Sequence, residues 1–258
     1  MNALIVYAHP EHRSLNGSLH ALMVEHLRRA GHHVEVSDLY AMRWKSQLDA
    51  DDFPARDTTS RFDPIGDSNL AYTQGTQTED VAREQAKLLR ADVLILQFPL
   101  WWFSMPAILK GWVDRVYAYG FAYGVGEHSD HRWGERYGEG TMVGKRAMLV
   151  VTAGGWESHY GPRGINGPID DLLFPIQHGV LHYPGFDVMP PVVVYHTSRV
   201  DEGRHAAITR ELRTRLDGLW TDAPIAFRKQ NAGDYSIPTL ELKPELAAGR
   251  DGFGVHVG

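Results

Sequence analysis

DVLILQFP, from Asp92 to Pro99, is the most strand-like run in the chain. It is apolar on both sides of its pleat, as a central strand of a parallel sheet covered by helices on both faces must be. Beyond it, Pro106 opens a segment in which Ile108, Leu109, Trp112, Val113, Val116 and Tyr117 share one helical stripe. Upstream, Ala3 to Ala8 reads as a buried strand and Leu15, Leu19, Leu22, Met23 and Leu27 recur at helical spacing. Gly31 stops that helix, and HVEVSDL (His33–Leu39) alternates as a second strand. A strand–helix–strand opening favours parallel pairing.

The pattern continues downstream. Residues 41–75 read as a polar, irregular surface excursion, and Thr76 to Glu79 offers a capping box for a helix through Leu89. Residues 124–144 form a second excursion. KRAMLVVT (Lys145–Thr152) is the next strand, and Ile169 to Val180 reads as a helix with a kink at Pro175. Val192 to Tyr195 is a last strand. A final helix from Asp201 to Trp220 turns Ile208, Leu212, Leu216 and Leu219 inward. Five strands alternating with helices predict an open, doubly wound α/β sheet, whose ligands sit beyond the carboxyl ends of the strands.

Composition narrows the function. The chain has 258 residues, of which 43% are hydrophobic, enough for a full core. Its formal net charge of −6 argues against broad nucleic-acid binding, which needs a basic surface. With no cysteine, thiolate nucleophiles, disulfides and Cys-ligated metals are excluded. No apolar run nears the roughly 18 residues of a membrane span, so no stable membrane insertion is expected. The N-terminus has no basic segment of the secretory type, and a cytoplasmic protein is the expectation.

Three loops lie where ligands should bind. The loop after the first strand has neither G-x-G-x-x-G nor a Walker A motif. It does place Ser14, Asn16, Gly17 and Ser18 at a helix N-terminus, where free N–H groups favour an anion, with His9 and Arg13 beside them. The loop after the third strand, PLWWFSMP (Pro99–Pro106), carries three adjacent aromatics, a slot for a flat ring system. The loop after the fourth, TAGGW (Thr152–Trp156), pairs two glycines that let N–H donors approach a ligand closely. Phosphate donors, an aromatic slot and a glycine loop on one edge point to a flavin. His178 and His182, four apart on one face, have no third ligand nearby and read as structural.

At these loops the chain resembles the flavodoxin-like NAD(P)H:quinone oxidoreductases, the DT-diaphorase family. The carrying segments are ALIVYAHPEHRSLNGSL (Ala3–Leu19), SDLYAM (Ser37–Met42), QFPLWWFSMPAILKGWVDRV (Gln97–Val116), FAY (Phe121–Tyr123), TAGG (Thr152–Gly155) and PIQHGVLHYPGF (Pro175–Phe186). The likeness runs to about Phe227. It implies a five-stranded parallel sheet in the order 2-1-3-4-5, with residues 1–227 as the catalytic domain and 228–258 as a C-terminal extension. It implies a homodimer holding FAD rather than FMN, and two-electron reduction of quinones by NAD(P)H through flavin N5 in a ping-pong scheme. His9, Ser14, Leu15, Asn16 and Ser18 would meet the FAD phosphates and ribityl chain. Pro99, Leu100, Trp102, Phe103, Thr152, Ala153, Gly154 and Gly155 would flank the ring. Tyr123, with Trp102 and Phe103, would line the substrate pocket.

Tyr160 matches an aromatic position that helps stabilise charge on the reduced ring, but Asn166 stands where that family often has a His. Asn donates hydrogen bonds without carrying a proton. Together these two are the catalytic candidates. One branch of the family has a metal site that His178 and His182 match in part; no Cys completes it, and no metal is expected. The alternatives are a reductase of nitroaromatic or azo acceptors, a regulatory subunit of a potassium-efflux transporter, and a one-electron shuttle.

Overall fold

Parity sorts the central strands. Along β1 (Asn2–Tyr7) and β3 (Val93–Pro99), Leu4, Val6, Leu94, Leu96 and Phe98 enter one core, while Ala3, Ile5, Val93 and Ile95 enter a second core across the sheet. The computed structural model describes all 258 residues. β2 (His33–Asp38) and β4 (Arg146–Thr152) flank this pair, giving the parallel order β2-β1-β3-β4-β5. The expected doubly wound sheet and its 2-1-3-4-5 order are therefore present.

The fifth position differs from expectation. It is shared by β5 (Asp187–Val188) and β6 (Val192–Val194), both paired with β4. Pro190 and Pro191 lie between them and cannot donate to the ladder, so one edge strand becomes two.

The helices pack on both faces. α1 (Leu15–Arg29) buries Leu19, Met23 and Leu27 against the second core, beside α6 (Glu202–Asp217) with Ile208, Leu212 and Leu216. α3 (Glu79–Arg90) and α4 (Ala107–Val116) cover the first core, where Val81, Leu88, Leu109 and Trp112 are buried.

The stretch read as irregular contains a helix, α2 (Pro64–Gln74). Its signals are local: Asp63 caps it, Pro64 sits in its first turn, and Gly75 closes it in the left-handed conformation. The expected capping box at Thr76 is absent; Thr76 closes α2, and α3 starts after Thr78 without a side-chain cap bond. Pro175 lies inside α5 (Ile169–Ile176), which loosens into a π-helical turn over Gln177–His182. α6 ends three residues before the expected Trp220, and Gly218–Trp220 continue as a 3₁₀ turn. In the tail, β7 (Tyr235–Ser236) and β8 (Glu241–Leu242) form a small antiparallel pair.

Candidate functional site

Because β1, β3 and β4 are parallel neighbours, the loops leaving their carboxyl ends are neighbours too. Specific bonds lock them together. The Leu100 N–H donates to the Thr152 carbonyl at 2.8 Å, and Asn16 Nδ2 donates to Thr152 Oγ1 at 2.8 Å. Gln97, the one polar residue inside β3, donates from Nε2 to the Asn16 carbonyl at 2.7 Å. The edge strand joins in, since the Ala153 N–H donates to the Val194 carbonyl at 2.8 Å.

The β1 loop is a preorganised helix N-terminus. Ser14 caps α1, accepting from the Gly17 N–H at 3.2 Å, and its hydroxyl donates to the Glu11 carbonyl at 2.6 Å. His9 Nδ1 accepts from the Glu11 N–H at 3.1 Å and lies 3.1 Å from Ser14 Oγ. Only glycine fits at Gly17, because a Cβ there would stand 1.8 Å from the His12 carbonyl oxygen. The N–H groups of Leu15 and Asn16 find no partner within the chain and remain available to an anion. Arg13 does not join them; it turns outward onto Glu11, the pairing that lowers the Glu11 pKa. Ser18 Oγ lies 3.0 Å from His205 Nε2 at the start of α6.

The β3 loop is a tight turn closed by two bonds of 3.1 Å between Trp101 and Ser104. At its tip Trp102 and Phe103 hold φ of 50° and 62°, a region that costs a bulky residue about 1–3 kcal/mol. Trp102 is 94% exposed and Phe103 48%. Pro99 is buried beneath them and Leu100 half-buried. The His9 ring stands 6.1 Å from that of Trp101, so the first and third loops meet at their side chains as well.

On the β4 loop Thr152 and Ala153 are buried, whereas Gly154 faces open space: a Cβ built there meets nothing within 4 Å. A Cβ at Gly155 would come 3.0 Å from the Tyr160 ring. Tyr160 is buried at the same loop, with its ring 5.5 Å from that of Tyr195. Asn166 follows half-buried, its N–H donating to the His159 carbonyl at 3.0 Å.

Tyr123 is the predicted residue that stands apart. Its ring packs edge-on against Tyr119 at 5.3 Å, with Ser68 of α2 alongside, and no hydrogen bond or ring contact joins it to Trp102 or Phe103. His178 and His182 each face Phe227, at 5.1 Å between ring centroids, and no group of three His, Asp or Glu is placed to hold a metal ion.

Sequence reading missed Gln97, His20 and His205. Gln97 carried a signal, being the single polar residue in an otherwise apolar central strand. His205 carried none, because its approach to Ser18 depends on how α6 packs. Under the loops the environment is dry. Burial raises the Tyr7 pKa to about 12, and its ring stacks on His20 at 4.4 Å. Burial also lowers the His20 pKa, while its hydrogen bond to Gln97 opposes that shift. The rim thus offers unpaired N–H donors, exposed aromatic faces and neutral polar groups, suited to a flat ring carrying an anionic tail.

These features define an open, doubly wound α/β protein with a candidate ligand site at its topological switch point. The family model described as a flavodoxin-like fold matches residues 1–216, and the chain belongs to that family. The chain is 56% identical over 262 residues to a ribosyldihydronicotinamide dehydrogenase-like protein, traD, of Penicillium crustosum, covering 99% of this chain and 95% of that one. It is 36% identical over 260 residues to NAD(P)H dehydrogenase (quinone) 1 of Cavia porcellus, covering 99% and 92%. Among solved structures, a Klebsiella pneumoniae protein described as a candidate quinone reductase superposes with a TM-score of 0.98 at 63% identity, covering 100% of both chains.

Proposed function

We propose that this protein is a cytoplasmic, homodimeric flavoenzyme that reduces quinones with NAD(P)H by a ping-pong scheme, with FAD as its prosthetic group. The observation that carries the reading is the convergence of the β1, β3 and β4 loops, locked through Asn16, Thr152 and Leu100. A relative named NAD(P)H dehydrogenase (quinone) 1, matched over 99% of this chain, supports the reaction class.

The residues present fit a flavin. The unpaired N–H groups of Leu15 and Asn16, with His9, Ser14 and Ser18, would hold its phosphates and sugar chain. The open space at Gly154 is the cradle that a Cβ would begin to fill. Asn16 Oδ1, buried without a partner, faces the same question of an absent donor. Pro99, Leu100, Trp102, Phe103, Thr152, Ala153, Gly154 and Gly155 would flank the ring. When bound, the flavin supplies hydride chemistry at N5.

The chain's own groups do the rest. Backbone N–H donors of the glycine loop orient and stabilise charge at the ring edge. Tyr160 and Asn166 donate hydrogen bonds without requiring a resident proton carrier. Trp102 and Phe103 exclude water from the open face and supply a flat apolar wall for the acceptor. Tyr123, packed on Tyr119 beside α2, would join such a site from a second copy of the chain. The exposed apolar side chains of Trp102, Phe103, Trp156 and Ile165, the last 92% exposed, also favour a covered rim. Residues 1–227 act as the catalytic domain and 228–258 as an extension.

A second reading concerns the donor alone. The 56% identical relative carries the name of a ribosyldihydronicotinamide dehydrogenase-like protein, which favours a reduced nicotinamide riboside. The test is to release the chromophore from purified protein, identify it by mass, and assay benzoquinone reduction with NADH, NADPH and the reduced riboside. FAD with turnover is expected. Colourless protein that takes up neither FAD nor FMN overturns the reading.

A further inference from the structure

The two segments without a sequence assignment, the 124–144 excursion and the C-terminal tail, pack against each other. Gln230 Nε2 donates to the Trp133 carbonyl at 2.9 Å, and Asn231 Nδ2 donates to the Gly134 carbonyl at 3.1 Å and to Glu139 at 2.7 Å. Between them and α5 they enclose a cavity of about 340 Å³, within the size range of small-molecule sites. None of its lining residues belongs to the β1, β3 or β4 loops.

One side of it is a continuous aromatic column: Phe253 stacks on Phe174 at 4.4 Å and 9°, Phe174 on His178 at 4.6 Å and 16°, and His178 on Tyr137 at 4.6 Å and 25°. Its charge is one-sided, because no Asp or Glu lines it. Arg228 is already neutralised by Asp234 at 2.7 Å. Arg136 is not: its Nε donates to Gln230 Oε1 at 2.7 Å and its Nη1 to the Tyr183 hydroxyl at 3.4 Å, but no carboxylate pairs with it. A partly buried guanidinium without a counter-ion is costly, and an incoming anion relieves that cost. The two lining histidines add no charge near neutral pH. Burial pushes His178 down to about 3 and lowers His256 as well. His256 Nδ1 is also engaged by the Tyr235 hydroxyl at 2.9 Å.

We propose that this cavity is a second ligand site, separate from the switch-point site, which binds a planar aromatic monoanion of the aryl carboxylate class, its ring packed against the aromatic column and its carboxylate on Arg136. It stands independently of the reaction assigned to the switch-point site.

The test is calorimetric titration of the protein as purified with 2-naphthoate, using neutral 2-naphthamide as the control. Naphthoate should bind at least about tenfold more tightly than the amide. Arg136→Gln should abolish that difference while leaving the amide unchanged, and Arg136→Lys should restore part of it. Phe253→Ala, at a half-exposed position, should weaken both probes by about the same factor and remains informative if Arg136 variants fold poorly. Equal affinity for the two probes, naphthoate binding indifferent to Arg136→Gln, or no binding below about 1 mM overturns the proposal. So does naphthoate binding that is competed away by benzoquinone.

Discussion

Asn16 and Thr152, 136 residues apart in sequence, are joined by a buried bond of 2.8 Å from Asn16 Nδ2 to Thr152 Oγ1. This bond ties the first turn of α1 to the end of β4, two of the three loops that build the switch-point site. Gln97 extends the tie into β3 through the Asn16 carbonyl. Thr152→Val preserves shape but leaves the Asn16 amide without its acceptor, a loss of about 1–3 kcal/mol. The expected outcome is a melting temperature lower by a few degrees and flavin affinity weaker by about tenfold, read from calorimetry and from flavin retention on dilution. An unchanged flavin affinity would separate the tie from the site.

Trp102 and Phe103 set stability against function. Glycine tolerates their positive φ without penalty. Phe103→Gly should therefore cost the fold nothing, or stabilise it by up to about 1 kcal/mol, while quinone turnover falls. Phe103→Ala loses the same ring without relieving the backbone, so it should melt below the glycine variant. A glycine variant with full turnover would remove the loop from the site.

Tyr160→Phe deletes one donor beside Gly155. Loss of a single preorganised donor costs about 10²-fold in rate where charge develops, so both half-reactions should slow. If neither changes in rapid-mixing experiments, Tyr160 has no such role. Asn166→His brings in a side chain with an ordinary pKa near 6.5. It should add an inflection to the pH–rate profile around that value, which the parent enzyme lacks at this position.

Much of the fold was legible from local pattern. Buried runs such as Ala3–Ala8 and Asp92–Pro99 have no other reading in a parallel sheet, and Leu19, Met23 and Leu27 face inward as their spacing requires. What escaped was set by interactions of another range. α2 was hidden by its weak apolar stripe, although Asp63, Pro64 and Gly75 marked both its ends. The split of the last strand follows from Pro190 and Pro191, which act through a ladder to β4 invisible along the chain. At the site, residue types were legible loop by loop. The ties among Asn16, Gln97 and Thr152, the distance of Tyr123, and the cavity at Arg136 all depend on long-range packing.

Acid should destabilise the fold through its buried histidines. His178 is held down to about 3 in the folded chain, against about 6.5 when unfolded. Between these values the unfolded chain binds a proton that the folded chain does not, so stability is full above about pH 6.5 and falls as pH drops toward 3. His20, His182 and His256 are lowered as well and act in the same direction. Melting temperatures at pH 7.5 and 5 should differ more for the parent protein than for His178→Gln. Equal differences would contradict the buried, neutral state of His178.

The most direct measurement is an anaerobic two-step mixing experiment on purified protein. Reduced nicotinamide is added first, without any quinone, and benzoquinone second. The account predicts that the visible flavin band bleaches in the first step and returns in the second. A band that is missing, or one that stays unbleached until both substrates are present together, would contradict it.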